Sequence, residues 1–161
     1  MIFLDTFLTS IKLPNKQALF KLNRTGMDIV VIYMFLLICV TSIPTFIDQI
    51  NNPNEISEQT HFFFILIFFF IFHVLPMTVI VFLAISLLAY IFLGVTKLMQ
   101  RKLRFQILWK MIAYTTTVPF TIYTVFALFF SFSNVFLLLS LLYTVILLLK
   151  MISIYPRRKT T

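Results

Sequence analysis

Residues 62–95 read FFFILIFFFIFHVLPMTVIVFLAISLLAYIFLGV, an apolar run of 34 residues without Asp, Glu, Lys or Arg. As one helix this run would measure about 50 Å at ~1.5 Å per residue, whereas the hydrocarbon core of a bilayer is ~30 Å thick. Two membrane spans would need a polar turn between them, and HVLPMT at 73–78 offers one histidine, one proline and no glycine. Length favours two spans and composition favours one, so the flanking charges decide.

The distribution of basic residues indicates a single crossing. With one crossing, the cations at 97–110 lie on the same side as those of the N-terminal segment and, after two further spans, as those at 157–159. The side opposite then carries Asp48, Glu55 and Glu58. This arrangement follows the positive-inside rule, which five spans would break. The sequence therefore predicts one overlong second helix at 62–96, tilted, bent at Pro76 or projecting beyond the bilayer.

The whole chain is predicted to be an all-α polytopic membrane protein with four transmembrane helices. Of its 161 residues 61% are hydrophobic, which excludes an aqueous globular domain. The formal net charge of +8 is assigned to cytoplasmic loops and not to nucleic-acid binding. The predicted location is the bacterial cytoplasmic membrane with both termini cytoplasmic. Within a membrane domain at 26–161, the predicted spans are 29–47, 62–96, 107–130 and 135–154.

Residues 1–25 are predicted to form a separate cytoplasmic segment at the membrane interface. Apolar residues recur at intervals of three and four along 3–11, which predicts a helix with one apolar face. Pro14 is predicted to end this helix. A second basic stretch follows, with Asn15 as a helix cap. The segment is too short to span, so an amphipathic helix on anionic lipid is favoured over a disordered basic tail.

Three polar residues are candidates for a role inside the membrane: His73, Thr117 and Asn134. A histidine at depth can belong to a proton path, but no second titratable acid lies within the apolar part of a span. A neutral His73, hydrogen-bonded to a neighbouring helix or to a carbonyl freed by Pro76, is favoured. The threonine-rich stretch at 113–124 is assigned to helix packing in preference to a polar path.

No recognisable set of catalytic, cofactor-binding or metal-binding residues is present in the sequence. A site made by His61, Glu55 and Glu58 lacks a rigid ligand spacing, and the single Cys39 forms no CxxC motif. The two glycines, Gly26 and Gly94, do not make a phosphate-binding loop. The sequence therefore predicts no enzyme, no cofactor and no metal.

Two groups of residues are predicted to make contacts outside the chain. The first is an aromatic face that would meet a membrane-protein partner or a second copy of the chain: Phe62, Phe64, Phe68, Phe69 and Phe72. The second would meet phosphate groups of anionic lipid on the cytoplasmic side: Lys97, Arg101, Lys102, Arg104, Arg157 and Arg158. Trp109, beside the second group, is predicted to anchor its helix at the interface.

Three blocks of the sequence resemble a bacterial membrane family of unknown function. The blocks are FLTSIKLPNKQALFKLNRTG followed by Ile43-Pro44, then LMQRKLRFQILWKMIAYTTTVPF, and finally ISIYPRRK. That family includes proteins of maltodextrin utilisation and is distantly similar to the Yip family of small polytopic proteins. The resemblance implies a membrane-embedded, non-catalytic protein linked to transport. It transfers no catalytic residue, and relatives carry a much longer segment between the first two spans.

The sequence leaves four functions to compare, of which an intramembrane enzyme ranks last. The leading hypothesis is an accessory or scaffold subunit of a larger membrane complex, beside an ABC-type transporter or another transport machine. Small size, the 21 phenylalanines and the overlong apolar helix favour this function. The alternatives are a small carrier or channel, and a Yip-like lipid-organising protein. Lack of buried charge and of an inverted repeat weighs against the carrier.

Overall fold

The structure is a computed structural model that describes residues 2–51, 61–129 and 135–156. These residues form helices and no β-strand, which confirms the all-α prediction. The helices are α1 (Ile2–Ile11), α2 (Lys16–Asn23), α3 (Met27–Thr41), α4 (Ile43–Asn51), α5 (Phe62–Phe69), a π-helical turn (Phe70–Val74), α6 (Leu75–Leu98), α7 (Phe105–Thr115), α8 (Thr117–Ala127) and α9 (Val135–Ile154).

Two helices of the described chain are long and apolar enough to cross a membrane. The first runs from Met27 to Asn51 over 25 residues, and the second runs from Phe62 to Leu98 over 37 residues. The second confirms that 62–96 forms one helix and not two. The predicted third span is divided at Thr116 into α7 and α8, and α9 matches the predicted fourth. The four-span topology stays a prediction.

Each interruption of these long helices lies just before a proline. The turn at Ser42 precedes Pro44, the π-helical turn precedes Pro76, and the turn at Thr116 precedes Pro119. A proline has no N–H to donate and its ring presses on the carbonyl four residues earlier, so the regular ladder breaks there. Hydroxyls at these turns bond to the preceding helix: Ser42 Oγ donates to Ile38 O (2.9 Å) and Thr116 Oγ1 donates to Ala113 O (2.8 Å).

Helix α7 forms the centre of the bundle. Seven of its eleven residues are buried, and it packs against α1, α2, α3, α6, α8 and α9. The longest helix meets it through a narrow stripe on α6, with buried residues at intervals of four, three and four: Ile85, Ala89, Phe92 and Thr96. Leu19 and Leu22 of α2 join the same buried cluster. The predicted separate N-terminal segment thus packs into the main bundle.

Helix α1 packs on the bundle through its hydroxyl face and leaves its apolar face exposed. Its buried residues are Thr6, Thr9 and Ser10, whereas the apolar residues Ile2, Phe3, Leu4, Leu8 and Ile11 are exposed. Each buried hydroxyl donates to the carbonyl four residues earlier in α1, and Asp5 of α1 forms an ion pair with Lys21 of α2. Small residues let helices approach closely, so the hydroxyl face packs on the bundle while the apolar face of α1 stays exposed.

Candidate functional site

The exposed side of α5 carries a column of stacked phenylalanines. Phe64, Phe68 and Phe72 are four residues apart, so they lie one above another on the same helix face. The Phe64 and Phe68 ring centroids are 6.4 Å apart, and those of Phe68 and Phe72 are 4.4 Å apart. Their exposed fractions are 57%, 46% and 65%. We call these three residues the outer aromatic column.

The other two residues of the predicted aromatic face lie beside α4. The Phe46 ring is 5.0 Å from that of Phe69 and 6.2 Å from that of Phe62. Phe69 is only 8% exposed, so its predicted role as an outside contact is wrong: it packs inside the chain. Phe62 stays 54% exposed and touches Phe46 from the rim. Helix period explains the pair, since residues seven apart share a face.

His73 lies in the π-helical turn between α5 and α6. Its ring stacks on Phe69, with centroids 4.7 Å apart and an interplanar angle of 19°. The turn is marked by the Leu75 N–H, which donates to Phe70 O five residues earlier. His73 is half-buried, and its ring stacks on the phenyl ring of Phe69. A proton path would instead need a second titratable group beside the histidine.

A cavity of about 200 Å³ separates this turn from α3 and α4. Phe69, Phe70 and Val74 line one side, and Cys39, Ser42 and Phe46 line the other. The interruption of the first long helix at Ser42 therefore faces the interruption of the second. The cavity wall is nearly all hydrocarbon, and Ser42 Oγ is already bonded to its own helix.

The second predicted polar residue, Thr117, is fully buried in a hydroxyl pair. Its Oγ1 lies 2.9 Å from the Tyr33 hydroxyl and joins α8 to α3. Tyr114 makes a similar pair with Thr25 at 2.6 Å, and the Tyr33 and Tyr114 rings are 5.9 Å apart. Threonine here serves helix packing, as expected. Asn134 lies outside the described residues.

Three helices and a turn are tied together at the end of the bundle that carries the basic residues. Lys110 Nζ donates to Thr25 O (2.5 Å) and Asn23 O (3.4 Å), so a lysine of α7 satisfies carbonyls left by the end of α2. Asn23 in turn donates to the Tyr155 hydroxyl after α9. Arg101 donates to the Tyr155 carbonyl from the turn after α6. We call this set the basic-end clamp.

The predicted lipid-contact residues divide into two groups. Lys97, Lys102 and Arg104 are exposed and free to meet phosphate groups, whereas Arg101 is half-buried in the clamp. Arg157 and Arg158 lie outside the described residues. Trp109 is 5% exposed, and its Nε1 donates to Ser86 Oγ at 3.1 Å. The predicted interface anchor is therefore wrong: this indole joins α7 to α6.

An apolar groove of about 340 Å³ lies between α1, α3 and α8. Phe3, Leu36, Val40 and Val125 line it with hydrocarbon. The hydroxyls of Thr121 and Thr124 on its wall donate to their own helix, to Thr117 O and Phe120 O. In the described part of the chain, no three His, Cys, Asp or Glu side chains come together as a metal site would require.

One protein family matches the chain, over residues 48–152, and it is described as "Protein of unknown function (DUF1189)". The match covers more than half of the 161 residues. The chain belongs to the DUF1189 family. No curated protein and no solved structure matches it.

The DUF1189 match includes the helices that carry the outer aromatic column, the π-helical turn and the centre of the bundle. It takes in the second of the three resembling blocks, ends at the first residue of the third, Ile152, and begins after the first. Helices α1, α2 and α3 thus lie outside the family match.

Several elements of this DUF1189 chain escaped the sequence reasoning. The clamp was hidden because the pairs Asn23–Tyr155 and Lys110–Thr25 join residues far apart in sequence. The π-helical turn had one signal, Pro76, whose disturbance of the preceding turn was expected as a simple bend. The packing of α1 on the bundle had a signal as well, since Thr6, Thr9 and Ser10 form a stripe of small residues at helical spacing.

Proposed function

We propose that this chain is a non-catalytic accessory or scaffold subunit of a larger bacterial membrane complex, docking through the outer aromatic column. The observation that carries the proposal is the length of the helix Phe62–Leu98. Its 37 residues measure about 55 Å at ~1.5 Å per residue, against a hydrocarbon core of ~30 Å. Even at a tilt of ~40° the helix covers about 42 Å along the membrane normal.

The excess length is assigned to the α5 end. Lys97 is exposed near the far end of α6, beside Lys102 and Arg104, and lysine and arginine favour the phosphate level of the cytoplasmic leaflet. With Lys97 at that level, α5 extends past the hydrocarbon on the opposite side. Exposed phenylalanine rings that leave the hydrocarbon need cover from another protein surface. The proposal places a partner on Phe64, Phe68 and Phe72.

The topology proposed for this subunit follows from the same placement of the basic residues. Four membrane crossings with both termini cytoplasmic are proposed, with α7 and α8 together forming the third. Reporter fusions after Thr60 and after Arg104 test this topology. We expect the fusion after Thr60 to report the extracytoplasmic side and the fusion after Arg104 to report the cytoplasm. An extracytoplasmic fusion after Arg104 would exclude four crossings. A link to maltodextrin utilisation or another transport operon is proposed from the resemblance alone.

A matched pair of triple variants tests the docking surface. We expect Phe64→Ala, Phe68→Ala and Phe72→Ala together to release a partner that copurifies with the natural chain at fixed ratio. Native mass spectrometry after gentle detergent extraction measures this release. The control replaces Ile80, Leu83 and Leu87, which are equally exposed on α6 but lie within the proposed bilayer depth. Isolation of the natural chain only as a monomer, or equal loss in both variants, would exclude the proposal.

A lipid-organising role is the second candidate, supported by the apolar groove between α1, α3 and α8. The hydroxyls of Tyr33, Thr121 and Thr124 on its wall are bonded within the chain, so an occupant would be hydrocarbon. We expect Val40→Trp, which fills the groove, to remove a tightly bound lipid from the native mass spectrum. Retention of the same lipid by this variant would contradict the second candidate.

A further inference from the structure

The contact between α4 and α5 repeats the same residue type one position later. Phe46 touches Phe62 and Phe69, which are seven residues apart. The residue after each of them is again phenylalanine: Phe63 and Phe70. If α5 advanced by one residue, Phe46 would meet the same side chains in the same places. Two registers of α5 are therefore nearly equivalent in their contacts with Phe46, whereas beside Phe35 of α3 the advance would put Ile71 in the place of Phe70.

The π-helical turn supplies the extra residue that such an advance requires. A π turn spans five residues where an α turn spans four, as the bond from Leu75 N–H to Phe70 O illustrates. Counted back from α6, Phe69 occupies the place that Phe70 would hold in an uninterrupted α-helix. By the same count, Phe62 occupies the place of Phe63. Conversion of the turn to α-helix would rotate α5 by about 100° about its axis.

We propose that α5 is a two-register switch: the π-helical turn at 70–74 interconverts with α-helix, and Phe63 and Phe70 then replace Phe62 and Phe69 beside Phe46. The inner contact keeps its chemistry, while the outer surface changes. Ile65 and Phe69 take the places of Phe64 and Phe68 in the column. This change of register alters the surface that a partner would contact. That consequence rests on the proposed function, in which the outer aromatic column is the docking surface.

Pro76 keeps the two registers close in stability. In an uninterrupted α-helix its ring would press on the carbonyl of Phe72, four residues earlier, and that carbonyl would lose its donor. The π turn relieves this conflict, at the expense of a less common backbone geometry. The cavity of about 200 Å³ beside Phe70 and Val74 gives the moving side chains room. A tightly packed core would resist such a shift.

Cysteine pairs at the rim of the contact distinguish the registers. In a Cys39→Ala background, Phe46→Cys is combined with Phe62→Cys or with Phe63→Cys, and a short bis-methanethiosulfonate links the pair. Phe63 is 76% exposed and Phe62 faces Phe46, so the observed register links only 46–62. We expect both pairs to link. The control pair 46–64 should not link in either register. Linking of 46–62 alone would overturn the switch.

Two variants then shift the balance in opposite directions. Pro76→Ala removes the clash in the α-helical register, so the ratio of 46–63 to 46–62 product should rise by about tenfold or more. Ile71→Ala removes the side chain that would meet Phe35 in the α-helical register but is exposed in the observed one, so the same ratio should fall. A ratio unmoved by both variants would exclude the switch. The detergent-purified chain suffices, so the result is independent of whether a partner docks on the column.

Discussion

Helices α7 and α5 are similarly rich in large apolar and aromatic side chains, yet they lie in opposite surroundings. Leu108, Trp109 and Tyr114 of α7 are almost inaccessible, while α5 buries only Phe69. The difference is that α7 has polar partners in other parts of the chain. Trp109 bonds to Ser86, Tyr114 bonds to Thr25, and Lys110 of α7 donates to the carbonyl of Thr25 after α2. Apolar character alone therefore does not decide which helix lies inside this bundle.

The largest expected effect comes from removing the buried indole of α7. Trp109→Ala should lower the free energy of unfolding by about 3–5 kcal/mol, because it leaves a cavity and removes the indole N–H that joins α7 to Ser86 of α6. Unfolding in mixed micelles titrated with SDS measures the loss. The matched variant on α5, Phe63→Ala, should change stability by about 0.5 kcal/mol or less. Equal losses at the two sites would break the contrast between these helices.

A lysine of α7 provides the next largest effect. Lys110→Met should lower the free energy of unfolding by about 1–3 kcal/mol, because the carbonyls of Asn23 and Thr25 lose their donor. Lys97→Met on the exposed end of α6 is the control, since its charge faces outward. The same SDS titration compares them. If Lys97→Met proved the more damaging change, the assignment of the clamp as a structural element would be wrong.

The smallest expected effect is the coupling between two buried hydroxyls. A double-mutant cycle with Tyr33→Phe and Thr117→Val should give a coupling energy of about 0.6 kcal/mol, the usual scale for hydrogen bonds between membrane helices. A parallel cycle combines Tyr33→Phe with Thr121→Val. It should give no coupling, because the Thr121 hydroxyl donates to its own helix. Coupling of the same size in both cycles would show that packing, and not the bond, joins α3 to α8.

The helical class and the single long helix could be predicted because hydrophobic runs and proline positions are local signals. The predicted second helix ends within two residues of the observed Leu98, and α9 was predicted at 135–154. Burial was harder. Phe69 and Phe68 are neighbours of the same type, and only the extra residue of the π turn, together with Phe46 from a distant helix, decides which one is buried. Trp109 likewise depends on Ser86.

The packing of α1 sets an order on how the chain assembles as it is made. Helix α1 precedes α7 and α8 in the chain and is synthesised before them, yet it packs against both. Until then α1 can pair only with α2, to which the ion pair of Asp5 and Lys21 joins it. Docking of α1 is therefore a late event in biogenesis, completed only after α8 has been synthesised.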